Sequence, residues 1–145
     1  MVHLCGNGKI DSSLVGLEGY CQLDYANEEL ADLLAASSVV ISRSGANSLY
    51  EILALGKPHI LIPISTQVSR GDQIQNARYF EQLGISIVIQ DELLTVQTLV
   101  LALHELMHNK TEIDMKIKAL NIESATKKIA ALIKEQAHVQ FPRTV

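Results

Sequence analysis

Apolar and polar positions along the chain fall into two regimes. Up to Ile89, short apolar runs rich in β-branched residues alternate with segments whose apolar positions recur every three or four residues. The runs are Val2 to Cys5, Tyr20 to Leu23, Val39 to Ser42, His59 to Ile62 and Ser86 to Ile89. Each has strand length and is mostly unbroken instead of alternating, the pattern of strands covered on both faces. Between them, Glu28 to Ala36, Ala46 to Leu55 and Asp72 to Leu83 carry helical spacing, as in Leu49, Ile52 and Leu53. Strand and helix in alternation predict right-handed βαβ units, and so an α/β fold with a Rossmann-like parallel sheet flanked by helices. After Ile89 the pattern is helical. Val96, Leu99, Val100, Leu103, Leu106 and Met107 make one stripe; Ile113, Ile117 and Leu120 make a second; Ala125, Ile129, Leu132 and Ile133 make a third. These helices are expected to pack back on the sheet. Residues 138–145 mix Pro, Arg and Gln without period and read as a loose or docked tail.

Composition narrows this picture. The 145 residues are one domain's worth, and 48% apolar content suffices for a core. With 12 Lys plus Arg against 16 Asp plus Glu, few aromatics and no basic block, the chain has neither a phosphate-tracking stripe nor a stacking platform, which sets nucleic acid aside. Cys5 and Cys21 form no CxxC pair and are expected to be buried, reduced thiols of a cytosolic protein. No apolar run approaches the roughly 20 residues that span a bilayer, so the expectation is a cytoplasmic protein that at most rests on a membrane through something else.

In an open parallel sheet, ligands sit beyond the carboxyl ends of the strands, in the loops that lead into helices. Four loops qualify: Cys5 to Lys9, Asp24 to Glu28, Arg43 to Ser48, and Pro63 to Gln73. The first is Gly-rich without GxGxxG or P-loop spacing. The third carries most chemistry. Ser44 and Gly45 allow a sharp turn from strand to helix, and the amides of Ala46, Asn47 and Ser48 would then face an anion, favoured also by the helix dipole. Asn47, Ser48 and Glu51 share a side opposite the apolar stripe, so Glu51 could accept hydrogen bonds from a ribose. A purely structural reading competes, because Ser48 to Glu51 spells the capping box Ser-x-x-Glu. Asp72 likewise could be a helix cap with Gln75, whereas Gln73 has no such duty and offers donor and acceptor to a sugar.

The order SRSGANSLYEILALGKPHILIPI, then GDQIQNARYFEQLGISIVI, resembles the donor-binding half of the MurG-type UDP-N-acetylglucosamine:lipid I N-acetylglucosaminyltransferases of peptidoglycan synthesis, in glycosyltransferase family 28. Three motifs in register carry it: SGA with a Glu six residues after its Gly, the GKP strand start, and DQ followed by NA. The resemblance implies the C-terminal half of a GT-B fold, a partial donor-binding domain over residues 1–137, and no required metal. It implies UDP-N-acetylglucosamine as donor, with the diphosphate at Gly45, Ala46, Asn47 and Ser48, the ribose at Glu51, the N-acetylglucosamine at Asp72 and Gln73, and the uracil at the backbone of Ala26 and Asn27. Some members carry a Gln pair where this chain has Asp72 and Gln73. The family's acceptor domain, with the lipid I site, the candidate base and the contact with the cytoplasmic membrane face, is expected outside this chain, within one longer enzyme or in a complementing chain. A first strand, a Gly-Gly-Ser loop and a helix are also expected to be missing; in Rossmann order that strand would lie between the first and third strands present, and its loss would leave unpaired backbone, a rearranged sheet or pairing with another chain. Transfer by this chain alone is not expected.

A rival of another class is His104-Glu105-Leu106-Met107-His108, which fits the zinc motif HExxH without an evident third ligand. His3, His59 and His138 read as structural or surface residues.

Overall fold

The computed structural model describes residues 1–65, 70–120 and 130–135. In chain order the elements are β1 (Val2–Leu4), β2 (Cys21–Leu23), α1 (Leu30–Ala36), β3 (Val40–Ser42), α2 (Ala46–Ala54), β4 (His59–Leu61), α3 (Asp72–Gln82), β5 (Ser86–Val88), α4 (Val96–His108) and α5 (Lys110–Ala119). Short 3₁₀ turns lie at Ser12–Leu14 and Asp91–Leu93. The α/β alternation is therefore as the periodicity predicts. Helix α1 starts two residues later than expected, because Glu28 and Glu29 lie in the turn before it.

All strand pairs are parallel, but the strands form two sheets, β1 with β2 and β3-β4-β5, in place of one. The strands expected to flank a missing one, β1 and β3, are each the outer strand of their own sheet. The chain divides accordingly into two compact units, Met1–Ser37 and Ser38–Val145.

In the first unit, Val2 pairs with Cys21 and Leu4 with Leu23. The Gln22 side chain brackets Asp11: it accepts from the Asp11 N–H at 3.0 Å and donates to the Asp11 carbonyl at 2.9 Å. Gly8 N–H donates to the Asp24 carboxylate at 3.1 Å, closing the Gly-rich loop. No residue of this unit is buried. Two expectations are corrected here: β1 and β2 are not covered on both faces, and Cys21 is exposed and Cys5 half-buried, both as free thiols. A two-stranded sheet has too few neighbours to cover either face.

The second unit holds the core. Strand β4 is fully buried between β3 and β5, as its unbroken apolar pattern requires. Helix α2 packs on β3, α3 on β5, α4 on β4 and α5 on α4. Leu49 and Leu53 of α2, Ala77 and Phe80 of α3, and Leu106 of α4 meet Ile60, Leu61 and Ile62 there. The α4 stripe is displaced from its expected centre: Ala102 and Leu106 are buried with Leu99 and Leu103 beside them, while Val96, Val100 and Met107 stay 75%, 44% and 55% exposed. A small residue, Ala102, centres the face because it lets the helix approach the sheet closely. Ile113 and Ile117 are buried as expected, but Leu120, Leu132 and Ile133 are exposed. Ala125, Ile129, His138 and the tail 138–145 lie outside the described residues.

Candidate functional site

The carboxyl ends of β3 and β4 lead into the starts of α2 and α3, and three side chains tie these starts together. Strand β3 ends at Ser42, and Ser44, fully buried, precedes the α2 N-cap at Gly45. The Ser44 hydroxyl donates to the Gln73 carbonyl at 2.8 Å. In return the Asn76 side-chain amide donates to the Ser44 carbonyl at 3.0 Å. Gln73 and Asn76, three apart on α3, share the face turned to this loop. The Gln73 side chain accepts from Ile64 N–H at 3.2 Å, which commits its oxygen and leaves its nitrogen facing Gly45. A Cβ added at Gly45 would lie 4.0 Å from that nitrogen.

The α2 start carries no side-chain cap, and its first backbone bond runs from Leu49 N–H to the Gly45 carbonyl. The amides of Ala46, Asn47 and Ser48 precede that bond, at the positive end of the helix dipole. Ser48 lies inside the helix, so the capping-box alternative for Ser48 and Glu51 is not realised. Asn47, Ser48 and Glu51 are exposed, with Leu49, Ile52 and Leu53 buried behind them, as their spacing predicts. The cap reading of Asp72 also fails: Gly71 is the α3 N-cap at φ 88°, and Asp72 is the first helical residue, exposed. Glycine alone adopts that left-handed turn without strain.

Two further ties hold the 3₁₀ turn after β5 against these loops. Arg43 donates through Nη1 to the Ile62 carbonyl at 3.1 Å and to Asp91 at 2.7 Å. A hydrogen bond from the Ser65 hydroxyl holds the Glu92 carboxyl below its ordinary range. The spacing had singled out Glu51 and Gln73 but not Ser44, Asn76 or Ile64, whose partners are 9 to 32 residues away in the chain. The sequence had placed Ser44 at the strand-to-helix turn and Asn76 in the motif DQ followed by NA, but nothing in it showed that the two bond to each other.

Ala26 and Asn27 belong to the first unit, in the turn before α1. Ala26 is half-buried and Asn27 exposed, and the Asn27 carbonyl accepts from Leu30 N–H at 3.2 Å. His104, Glu105 and His108 are exposed on α4. Among the described residues no group of three His, Cys, Asp or Glu side chains stands together as a metal centre needs, so the zinc motif lacks its third ligand there. No described helix is long and apolar enough to cross a membrane.

The chain is similar to known proteins in sequence and in fold. The chain is 78% identical over its whole length to the UDP-N-acetylglucosamine--N-acetylmuramyl-(pentapeptide) pyrophosphoryl-undecaprenol N-acetylglucosamine transferase of Legionella pneumophila (strain Lens), of which it covers 40%. It is 47% identical over 137 residues to the protein of the same name in Geobacillus thermodenitrificans, of which it covers 38%. The chain thus spans about 40% of the length of the curated relatives it matches. Among solved structures, the glycotransferase of kitacinnamycin superposes with a TM-score of 0.75 at 23% identity, over 93% of this chain and 34% of that one. MurG of Acinetobacter baumannii superposes with a TM-score of 0.72 at 20% identity, over 92% of this chain and 40% of that one. Both likenesses concern the fold. The profile of the glycosyltransferase family 28 C-terminal domain matches residues 1–136, nearly the whole chain, and the chain belongs to that family.

Proposed function

We propose that this chain is the donor-binding part of an inverting glycosyltransferase that moves N-acetylglucosamine from UDP-N-acetylglucosamine to lipid I, making lipid II for peptidoglycan. The observation that carries this reading is the uncapped α2 start at Gly45, with Glu51 one turn on and the Gln73 side chain against Gly45. In it, the amides of Gly45, Ala46, Asn47 and Ser48 hold the diphosphate, Glu51 accepts from the ribose hydroxyls, and Asp72 and Gln73 meet the sugar. Ala26 and Asn27 meet the uracil through their backbone. Residues 1–137 form the donor-binding domain and 138–145 a tail. The names of the relatives support the choice of donor and acceptor.

The chemistry follows from charge. An acceptor hydroxyl attacks the anomeric carbon, the bond to the diphosphate breaks, and UDP leaves with added negative charge. Oriented amides and a helix dipole stabilise that charge where it develops, so the reading calls for no metal. Lipid I and the base that takes its proton belong to an acceptor domain, in a longer polypeptide or a second chain, at the cytoplasmic face of the membrane. This chain alone binds donor and does not transfer.

Titration with UDP-N-acetylglucosamine tests the reading by amide shifts. Saturable shifts over Gly45 to Glu51 and at Gln73 are expected. Glu51→Ala is expected to weaken UDP binding about 10- to 100-fold, the loss of hydrogen bonds to a charged acceptor. Unchanged UDP affinity in that variant rules out the ribose role.

A further inference from the structure

We propose that Asn76 is a positioning residue of the donor site, setting the spacing between the sugar side at Gln73 and the diphosphate side at Gly45. The inference rests on the donor-site reading above. Asn76 is half-buried, so it is not offered as a ligand contact; its amide nitrogen is committed to the Ser44 carbonyl at 3.0 Å. Ser44 is completely buried, so its carbonyl has no water to replace that donor. The Ser44 hydroxyl returns a second bond to the Gln73 carbonyl at 2.8 Å. One residue of the α2 loop therefore gives one bond to α3 and receives one from it.

The two bonds differ in what they fix. The hydroxyl bond sets the height of the first turn of α3 against the loop. The amide bond, three residues on, sets the angle at which α3 leaves it. Ala77, fully buried beside Asn76, lets the helix approach that closely. Together they hold the Gln73 nitrogen at the face of Gly45, with its oxygen anchored on Ile64. A ligand that spans both helix starts depends on that spacing, whereas one that engages only the α2 start does not. Misplacement of one contact in a pre-organised site costs affinity for the spanning ligand first.

The test is a pair of affinities in the 145-residue chain, measured by amide shifts for UDP and for UDP-N-acetylglucosamine. Asn76→Ala is expected to weaken UDP-N-acetylglucosamine about tenfold and UDP less than about threefold, the cost of one buried hydrogen bond appearing only in the spanning ligand. Ser44→Ala removes the other bond, keeps the carbonyl, and is expected to change the same ratio in the same direction; it carries the test if Asn76→Ala does not fold. A purely structural role lowers the melting temperature and leaves the ratio of the two affinities unchanged, which overturns the proposal. A wild-type chain that takes up neither nucleotide refutes the donor-site reading instead. The bond itself is then read without ligand: losing the Asn76 donor depolarises the Ser44–Gly45 peptide, so the Gly45 amide nitrogen shifts in Asn76→Ala, and an unmoved Gly45 resonance refutes the bond.

Discussion

At the scale of single residues, His59 links sheet register to pH. Parallel pairing sets His59 opposite Ser86, so their side chains meet on one face of the sheet. Nδ1 lies 2.8 Å from the Lys57 carbonyl, which can only accept, so Nδ1 carries the proton and Nε2 accepts from the Ser86 hydroxyl at 2.6 Å. Burial disfavours the imidazolium and lowers the His59 pKa from 6.5, against a smaller opposing effect of the Lys57 bond. The neutral ring is thus the folded form. Its contribution is complete above pH 6.5 and is lost as the pH falls from 6.5 toward the depressed folded value, because the unfolded chain binds the proton first. Melting temperature should therefore fall between pH 7.5 and 5.5, and His59→Gln should flatten that part of the profile. An unchanged slope in the variant would assign the pH dependence to another group.

At the scale of elements, helix ends carry the information. Helix α4 has a full reciprocal cap: Thr98 N–H donates to the Thr95 hydroxyl at 3.1 Å, and Thr95 N–H to the Thr98 hydroxyl at 2.8 Å. Thr95→Ala is expected to cost about 1 kcal/mol, read as a lower urea midpoint at constant m-value. Helix α2 differs in kind, since Ser48 and Glu51 have capping-box spacing yet no side chain caps its start at Gly45. Helices α1, α3 and α5 also start without a side-chain cap, so α4 is the capped exception among these helices. The bounds of α2 were readable from apolar spacing to within one residue, because Leu49, Ile52 and Leu53 had to face the sheet. Which residue capped α2 was not, because Ser-x-x-Glu is compatible with a start at either end of the turn.

At the scale of the whole molecule, apolar burial is concentrated in one of the two units. Every buried residue falls within Ser38–Val145, and none within Met1–Ser37. Local stability follows burial, so the two sheets should open with different free energies. Hydrogen exchange is expected to be faster at Cys5 N–H, bonded to the Leu23 carbonyl at 2.9 Å, than at Ile62 and Ile89, whose amides bond to Ser42 and Leu61 across the buried sheet at the same distance. Equal protection of the three amides would mean that the units unfold as one.

The sequence by itself determined the order of elements, their parallel class and the positions of Glu51 and Gln73, because periodicity and spacing act within one or two turns of chain. The tertiary structure decided what long-range contacts decide. It divided the strands between two sheets and left β1 and β2 uncovered, since coverage depends on neighbours that no local pattern encodes. It also centred α4 on Ala102, and it made Ser44 a buried junction of Gln73 and Asn76. A serine one residue before a helix N-cap carries no local sign of bonding to a helix 29 to 32 residues further on. Its two partners reach it only because β3 and β4 lie side by side and bring the starts of α2 and α3 together.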